Sequence, residues 1–184
     1  MDGEYLQRRR GFGLASGEST GTSVSLETGT RFRADLVLAD LAATRALGSE
    51  LAVWLLELEP PRPLLLLKGE LGAGKTSLVQ GLAAALGIEE PVTSPSFALA
   101  QHYSGRREGR ISHLVHLDLY RLEQAASADE LFAQEEEEAQ SLGALLAVEW
   151  PERLSQPPAL AWTVELFHGG EGRHALITPA DSLG

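Results

Sequence analysis

Gly69-Glu70-Leu71-Gly72-Ala73-Gly74-Lys75-Thr76 follows directly on the apolar run Leu64-Leu65-Leu66-Leu67 and leads into Ser77-Leu78-Val79-Gln80-Gly81-Leu82-Ala83-Ala84-Ala85-Leu86. The octapeptide is a full G-x-x-x-x-G-K-S/T string. Its glycines let successive backbone N–H groups turn inward on an anion, Lys75 carries an ammonium to β- and γ-phosphates, and the Thr76 hydroxyl is placed to ligate Mg²⁺. The four fixed positions alone arise by chance in on the order of one chain in a hundred of this size, so the flanks decide the reading. Leu78, Val79, Leu82 and Leu86 recur on one helical face, and Gly87 is a fitting stop. Strand, loop and helix therefore occur in the order that phosphate binding needs, and a nucleoside triphosphate is the expected ligand. The chain has two lysines against thirteen arginines, and one of the two stands where an ammonium point charge is required.

Working outward, 184 residues with 43% hydrophobic content suffice for one α/β domain with its own core. Cysteine is absent, which excludes disulfides, thiolate metal sites and cysteine nucleophiles and agrees with a reducing interior. No run approaches the ~20 apolar residues of a membrane span and the start lacks a secretory h-region, so a cytoplasmic protein without membrane contact is expected. The formal charge of −11 argues against long-range attraction to naked nucleic acid. Much of that charge lies between Glu123 and Glu152, which carries nine acidic residues and no lysine or arginine, including Glu135-Glu136-Glu137-Glu138. The run reads as a solvated helix face, with a docking surface for a basic partner as the sharper alternative.

Residues 1–34 are rich in Gly, Ser, Thr and Arg and lack apolar periodicity; they are expected to form a flexible extension ahead of a domain spanning 35–184. A strand near Leu36-Val37-Leu38 leads to a helix capped by Asp40, with Leu41, Leu47, Leu51, Leu55 and Leu58 inside and Pro60-Pro61 at its end. Pro63 to Lys68 is the strand that feeds the glycine-rich loop. Pro91 and Pro95 keep Glu90 to Phe97 out of helix. Ala98 to Tyr103 and Gly109 to Leu114 flank the turn Ser104-Gly105-Arg106-Arg107-Glu108 as a hairpin. Leu114 to Asp118 is a strand, Ala128 to Leu142 an acidic helix, Leu145 to Trp150 a strand, and Trp162 to Phe167 pairs with Ala175 to Thr178. The fold class expected is α/β: a phosphate-loop NTPase-like sheet, mostly parallel, with flanking helices and an antiparallel C-terminal part.

In open α/β sheets ligands sit off the carboxyl ends of the strands, so carboxylates that close buried strands point at the phosphate loop. Asp118 closes one, in a run interrupted by His116, and Glu149 closes the other. Asp118 is expected to hold Mg²⁺ through water, and Glu149 to ligate the metal or orient the attacking water. Ser94 and Ser96 on the Pro-containing loop are candidates for a switch that closes over the γ-phosphate. Arg121, Arg106 and Arg107 are possible cationic stabilisers, and no histidine has zinc-type spacing. Guanine readers commonly use an Asn-Lys-x-Asp segment, and this chain has no asparagine, which favours ATP.

Taken together, residues 69–76, Val92-Thr93-Ser94-Pro95-Ser96-Phe97, His116-Leu117-Asp118-Leu119-Tyr120-Arg121-Leu122 and Val148-Glu149-Trp150-Pro151-Glu152-Arg153 resemble, in order and spacing, the bacterial TsaE (YjeE) ATPase family. The resemblance runs from about Leu36 to Ile177, and the Asp-Leu-Tyr-Arg and Glu-Trp-Pro elements carry more of it than the phosphate loop. It implies a small cytoplasmic ATPase of the pathway that makes N6-threonylcarbamoyladenosine in tRNAs reading codons that begin with A. It further implies work inside a complex with TsaB and TsaD, in which ATP hydrolysis resets the cycle and tRNA is met only indirectly.

By position, the resemblance assigns ATP binding to Glu70, Leu71, Gly72, Ala73, Gly74, Lys75, Thr76 and Ser77, and a mobile switch to Ser94, Ser96 and Phe97. It assigns Mg²⁺ to Thr76, Glu149 and Asp118, catalysis to Lys75, Asp118 and Glu149, and a place beside the site to Trp150. The Asp40–Thr44 helix start and the Gly172-Arg173 turn would border the adenine. The chain departs from the family pattern at Ser96, at Ala98 and in the glutamate-rich stretch. Two other readings share the cradle: a small-molecule kinase, for which residues 152–158 make a poor lid, and a non-catalytic nucleotide-binding module.

Overall fold

Leu64 to Leu67 are all buried, and they alternate between two hydrophobic layers. Leu65 and Leu67 pack with Leu47, Leu51, Leu78 and Leu82, whereas Leu64 and Leu66 pack with Phe132, Ala139 and Leu154. A strand covered on both faces needs apolar residues at every position, which is why it reads as an unbroken leucine run. The computed structural model describes residues 23–25, 33–57, 64–158, 160–170 and 172–179. In chain order they form β1 (Ser23–Ser25), β2 (Arg33–Leu38), α1 (Leu41–Leu56), β3 (Leu65–Lys68), α2 (Lys75–Ala85), β4 (Ala100–Arg107) and β5 (Arg110–Asp118). There follow α3 (Ala125–Leu142), β6 (Leu145–Glu149), a 3-10 turn (Pro151–Arg153), β7 (Trp162–Gly169) and β8 (Gly172–Thr178).

One sheet in the order β1-β2-β8-β7-β3-β6-β5-β4 joins these strands, with α1 and α2 on one face and α3 on the other. The expectation of a mostly parallel sheet needs correction. Only the centre, β7-β3-β6-β5, is parallel; the four pairings β1–β2, β2–β8, β7–β8 and β4–β5 are antiparallel. Two of them, β4–β5 and β7–β8, are tight hairpins, which allow nothing else because a parallel pair needs a long crossover; β2 then adds to β8 and β1 to β2 in the same antiparallel sense.

The β4–β5 hairpin is longer and its turn tighter than the sequence suggested. Glu108 and Gly109 have φ of 51° and 78°, the signature of a two-residue turn whose twist matches the strands, and Arg107 pairs directly with Arg110. Leu114 to Asp118 is therefore the end of that same strand. Leu41 was expected inside α1 but is partly exposed, since Asp40 accepts the Ala43 N–H at 2.8 Å as N-cap and leaves Leu41 at the rim. Leu58, also expected inside, lies outside the described residues. Within the stretch read as a flexible extension, β1 pairs with the start of β2; the remainder of 1–32 lies outside the described residues. The acidic run on α3 is not uniformly solvated: Glu135 is buried and meets His102 Nε2 at 2.5 Å.

Helices α1 and α2 approach so closely that neither tolerates a side chain at the crossing. A Cβ on Gly48 would lie 2.1 Å from Leu78 O, and one on Gly81 would lie 1.9 Å from Arg45 O. Ser49 Oγ donates to Gly81 O at 2.9 Å across the same contact. Because both obstacles are helix backbone, relief requires moving a helix. Gly81→Ala is expected to lower stability by about 2–4 kcal/mol, read as a fall in urea midpoint at constant slope. A change of a few tenths would mean the helices separate freely.

Candidate functional site

The loop between β3 and α2 is closed by Gly74 as N-cap, with φ of 110°, a left-handed conformation that glycine adopts without strain. The Lys75 side chain folds back beneath the loop. Its Nζ donates to Gly69 O at 2.7 Å and Glu70 O at 2.9 Å and lies 4.1 Å from the Trp150 ring centre. Burial pulls the Lys75 ammonium below the ordinary lysine range, and the carboxylates of Glu149, Glu152 and Asp118 oppose that shift. Trp150 reaches this position through backbone at φ of 60°, with its N–H donated to Leu67 O at 3.2 Å, and its ring stacks at a tilt on Tyr120.

Two carboxylates face the loop from neighbouring strands, because Asp118 is the register partner of Glu149 and Glu149 is that of Leu67. Both are buried. Glu149 Oε1 accepts from Thr76 Oγ1 at 2.9 Å and lies 2.9 Å from His116 Nε2. Asp118 Oδ2 accepts from Ser94 Oγ at 2.7 Å and Ser96 Oγ at 2.5 Å, and its Oδ1 takes the Tyr120 N–H at 3.0 Å. Asp118 thus pins the 92–99 loop, which ends at Leu99 with φ of 68°, where the Leu99 carbonyl accepts the Asp118 N–H at 2.9 Å.

A cavity of about 280 Å³ opens between these groups. The structure brings Leu71, Gly72, Gly74, Lys75, Thr76, Ser77, Ser94, Ser96, Asp118 and Glu149 of the predicted set into its lining. Glu70 contributes only its carbonyl to Lys75, and Ala73 is buried in the core, its carbonyl accepting from Arg173 Nε at 3.0 Å. Phe97 is 86% exposed and lies outside the lining, with the Arg121 guanidinium 4.0 Å from its ring centre. Arg106 and Arg107 sit at the far tip of the hairpin; at about 3.4 Å per residue they are about 25 Å from the Asp118 end and lie outside this cavity's lining. Leu41 and Arg173 complete the wall beside Gly74, while Tyr120 completes it beside Trp150. Sequence reasoning gave His116 no role, although its interruption of an apolar strand was the available signal.

The family model described as threonylcarbamoyl adenosine biosynthesis protein TsaE matches residues 38–175, which include every residue that lines the cavity. The chain belongs to the TsaE family. It is 42% identical over 145 residues to a tRNA threonylcarbamoyladenosine biosynthesis protein TsaE of Nostoc sp., covering 78% of this chain and 85% of that protein. A protein of the same name from Synechocystis sp. is 44% identical over 127 residues, covering 68% of this chain and 74% of the relative. Among solved structures, Bacillus subtilis YdiB superimposes with a TM-score of 0.58 at 25% identity, covering 83% of this chain and 89% of that one. Among the described residues no helix is long and apolar enough to cross a membrane.

Since Asp118 receives both serine hydroxyls, Asp118→Ala is expected to release the 92–99 loop. Amide exchange at Ser94, Ser96 and Leu99 should accelerate about tenfold or more, equivalent to about 1.4 kcal/mol of lost local protection. Unchanged exchange would show that other contacts hold the loop.

Proposed function

We propose that this TsaE-family chain is an Mg²⁺-dependent ATPase that acts in threonylcarbamoyladenosine modification of tRNA, inside a complex with TsaB and TsaD. The carrying observation is the convergence of Thr76, Asp118 and Glu149 from three elements at the carboxyl ends of β3, β5 and β6, beside the Lys75 loop. The relatives from Nostoc and Synechocystis bear the name of this modification pathway.

The residues fit Mg²⁺. Among the described residues no three histidine or carboxylate side chains gather into an all-protein metal cage. One hydroxyl and two carboxylates fronting an open cavity are instead the donor set of an ion that keeps several waters and takes its remaining ligands from phosphate. Bound there, Mg²⁺ supplies charge neutralisation to the phosphate oxygens. Lys75 exchanges the carbonyls of Gly69 and Glu70 for phosphate oxygens, a move favoured because its buried ammonium gains an anionic partner. Ser94 and Ser96 leave or keep Asp118 according to what fills the cavity, which makes the 92–99 loop the switch element. Asp118 and Glu149 are the groups able to hold and orient a water in line with the γ-phosphoryl. Without asparagine the chain lacks the common guanine-reading segment, so adenine is the base proposed.

Phosphate release from ATP, measured with and without the TsaB–TsaD pair, tests this reading. Stimulation by the pair is expected, and Lys75→Ala and Glu149→Ala should each lower turnover at least 100-fold. Turnover that depends on a small acceptor would identify a kinase, and binding without turnover a non-catalytic module. Full rate in either variant would remove that residue from the mechanism.

A further inference from the structure

His116 is the one fully buried imidazole described, set in the layer of Leu114, Leu145 and Ala147 beneath α2. Its Nε2 lies 2.9 Å from Glu149 Oε1, and its Nδ1 is the single buried side-chain nitrogen or oxygen among the described residues without a hydrogen-bond partner. These two facts select one tautomer. A proton on Nδ1 would be a buried donor with nothing to receive it and would set a bare Nε2 against a carboxylate oxygen. A proton on Nε2 alone gives the carboxylate a donor and leaves only a lone pair unmatched.

A core-filling residue has no use for this arrangement, because leucine at 116 would match its neighbours without burying an unsatisfied polar atom. Metal ligation through Nδ1 is equally unsupported, since no three histidine or carboxylate side chains gather into a metal-holding group among the described residues. What the imidazole does is join the Thr76 hydroxyl on the same oxygen of Glu149. With Oε1 held by two donors, the carboxylate plane is set, and among the described residues no hydrogen bond engages Oε2 of this cavity-lining side chain.

We propose that His116 is a positioning residue: as a neutral Nε2–H donor it locks Oε1 of Glu149, so that Oε2 is delivered to the metal-and-water side of the cavity. This rests on the ATPase reading for its consequence but not for its geometry. Thr76 alone holds the carboxylate from one side and leaves it free to rotate about the Cγ–Cδ bond. His116 removes that freedom without contact to nucleotide. Partners that orient ligating carboxylates typically matter by about 10–100-fold in metal affinity or activity.

The test compares His116→Leu with His116→Gln, whose amide nitrogen can replace Nε2. His116→Leu is expected to melt no lower than the wild type, yet to show about 10–100-fold lower kcat with TsaB and TsaD and a higher Mg²⁺ concentration for half-activation. Its affinity for ADP in chelator should be unchanged, and His116→Gln should recover most of the loss. A purely structural histidine would give the opposite split, with lower melting and uniform effects. Retention of wild-type rate and Mg²⁺ dependence in His116→Leu, while the wild type turns over ATP, overturns the proposal. If the wild type itself shows no turnover, the ATPase reading fails and the ligand-free protein decides the geometry. There the ¹⁵N spectrum of the His116 ring must show Nε2 protonated and Nδ1 bare, with Nε2 shifting in Glu149→Gln. A protonated Nδ1, or a resonance indifferent to Glu149, overturns the proposal, and this reading holds even where His116→Leu does not fold.

Discussion

The site depends on strand register. β6 lies between β3 and β5, and its pairing puts Glu149 opposite Leu67 on one side and Asp118 on the other, at the edge where the glycine-rich loop begins. Side chains alternate across a sheet with a period of two, so a slip of one residue in β5 or β6 would send a carboxylate to the α3 face and bring an apolar side chain to the loop. The packing guards against that slip. Leu114, Leu145 and Ala147 belong with the α1–α2 layer, while Val115, Leu117, Leu146 and Val148 belong with the α3 layer, so misregister would also misplace both halves of the core.

The same layers explain the contrast in rigidity around the cavity. Lys75 and Thr76 open a helix clamped against α1 by the Gly48–Gly81 crossing, and Glu149 ends a strand that is fully buried. These groups have little freedom. The 92–99 loop is different: two serine hydroxyls and the Leu99 carbonyl tie it to Asp118, Pro95 anchors it by burial, and Phe97 is left almost wholly in solvent. A rigid cavity wall beside a loop held largely by hydrogen bonds to Asp118 is an arrangement in which local opening is confined to one segment.

Much of this was legible in the chain. The glycine-rich loop, the helix after it and the two strand-closing carboxylates are local patterns, and each stands where the pattern indicated. The hairpin was misjudged because Ser104 to Arg107 carries turn-type residues that strand pairing overrides, and only Glu108 and Gly109 make the turn. The parallel share of the sheet was overstated because the β4–β5 and β7–β8 hairpins, with β2 and β1 added beyond β8, contribute four antiparallel pairs. Phe97, read as part of the switch, points away from the cavity onto Arg121.

By itself the sequence determined the chemistry that lines the cavity: which ammonium, which hydroxyl and which carboxylates are available, and the elements that bear them, since these follow from spacing within short segments. Tertiary structure alone decided that Thr76 and His116 share one oxygen of Glu149, that Ser94 and Ser96 share one oxygen of Asp118, and that Arg173 returns from β8 to the loop. These contacts join residues between 22 and 100 positions apart, and no local periodicity encodes which distant strand a β-strand will pair with.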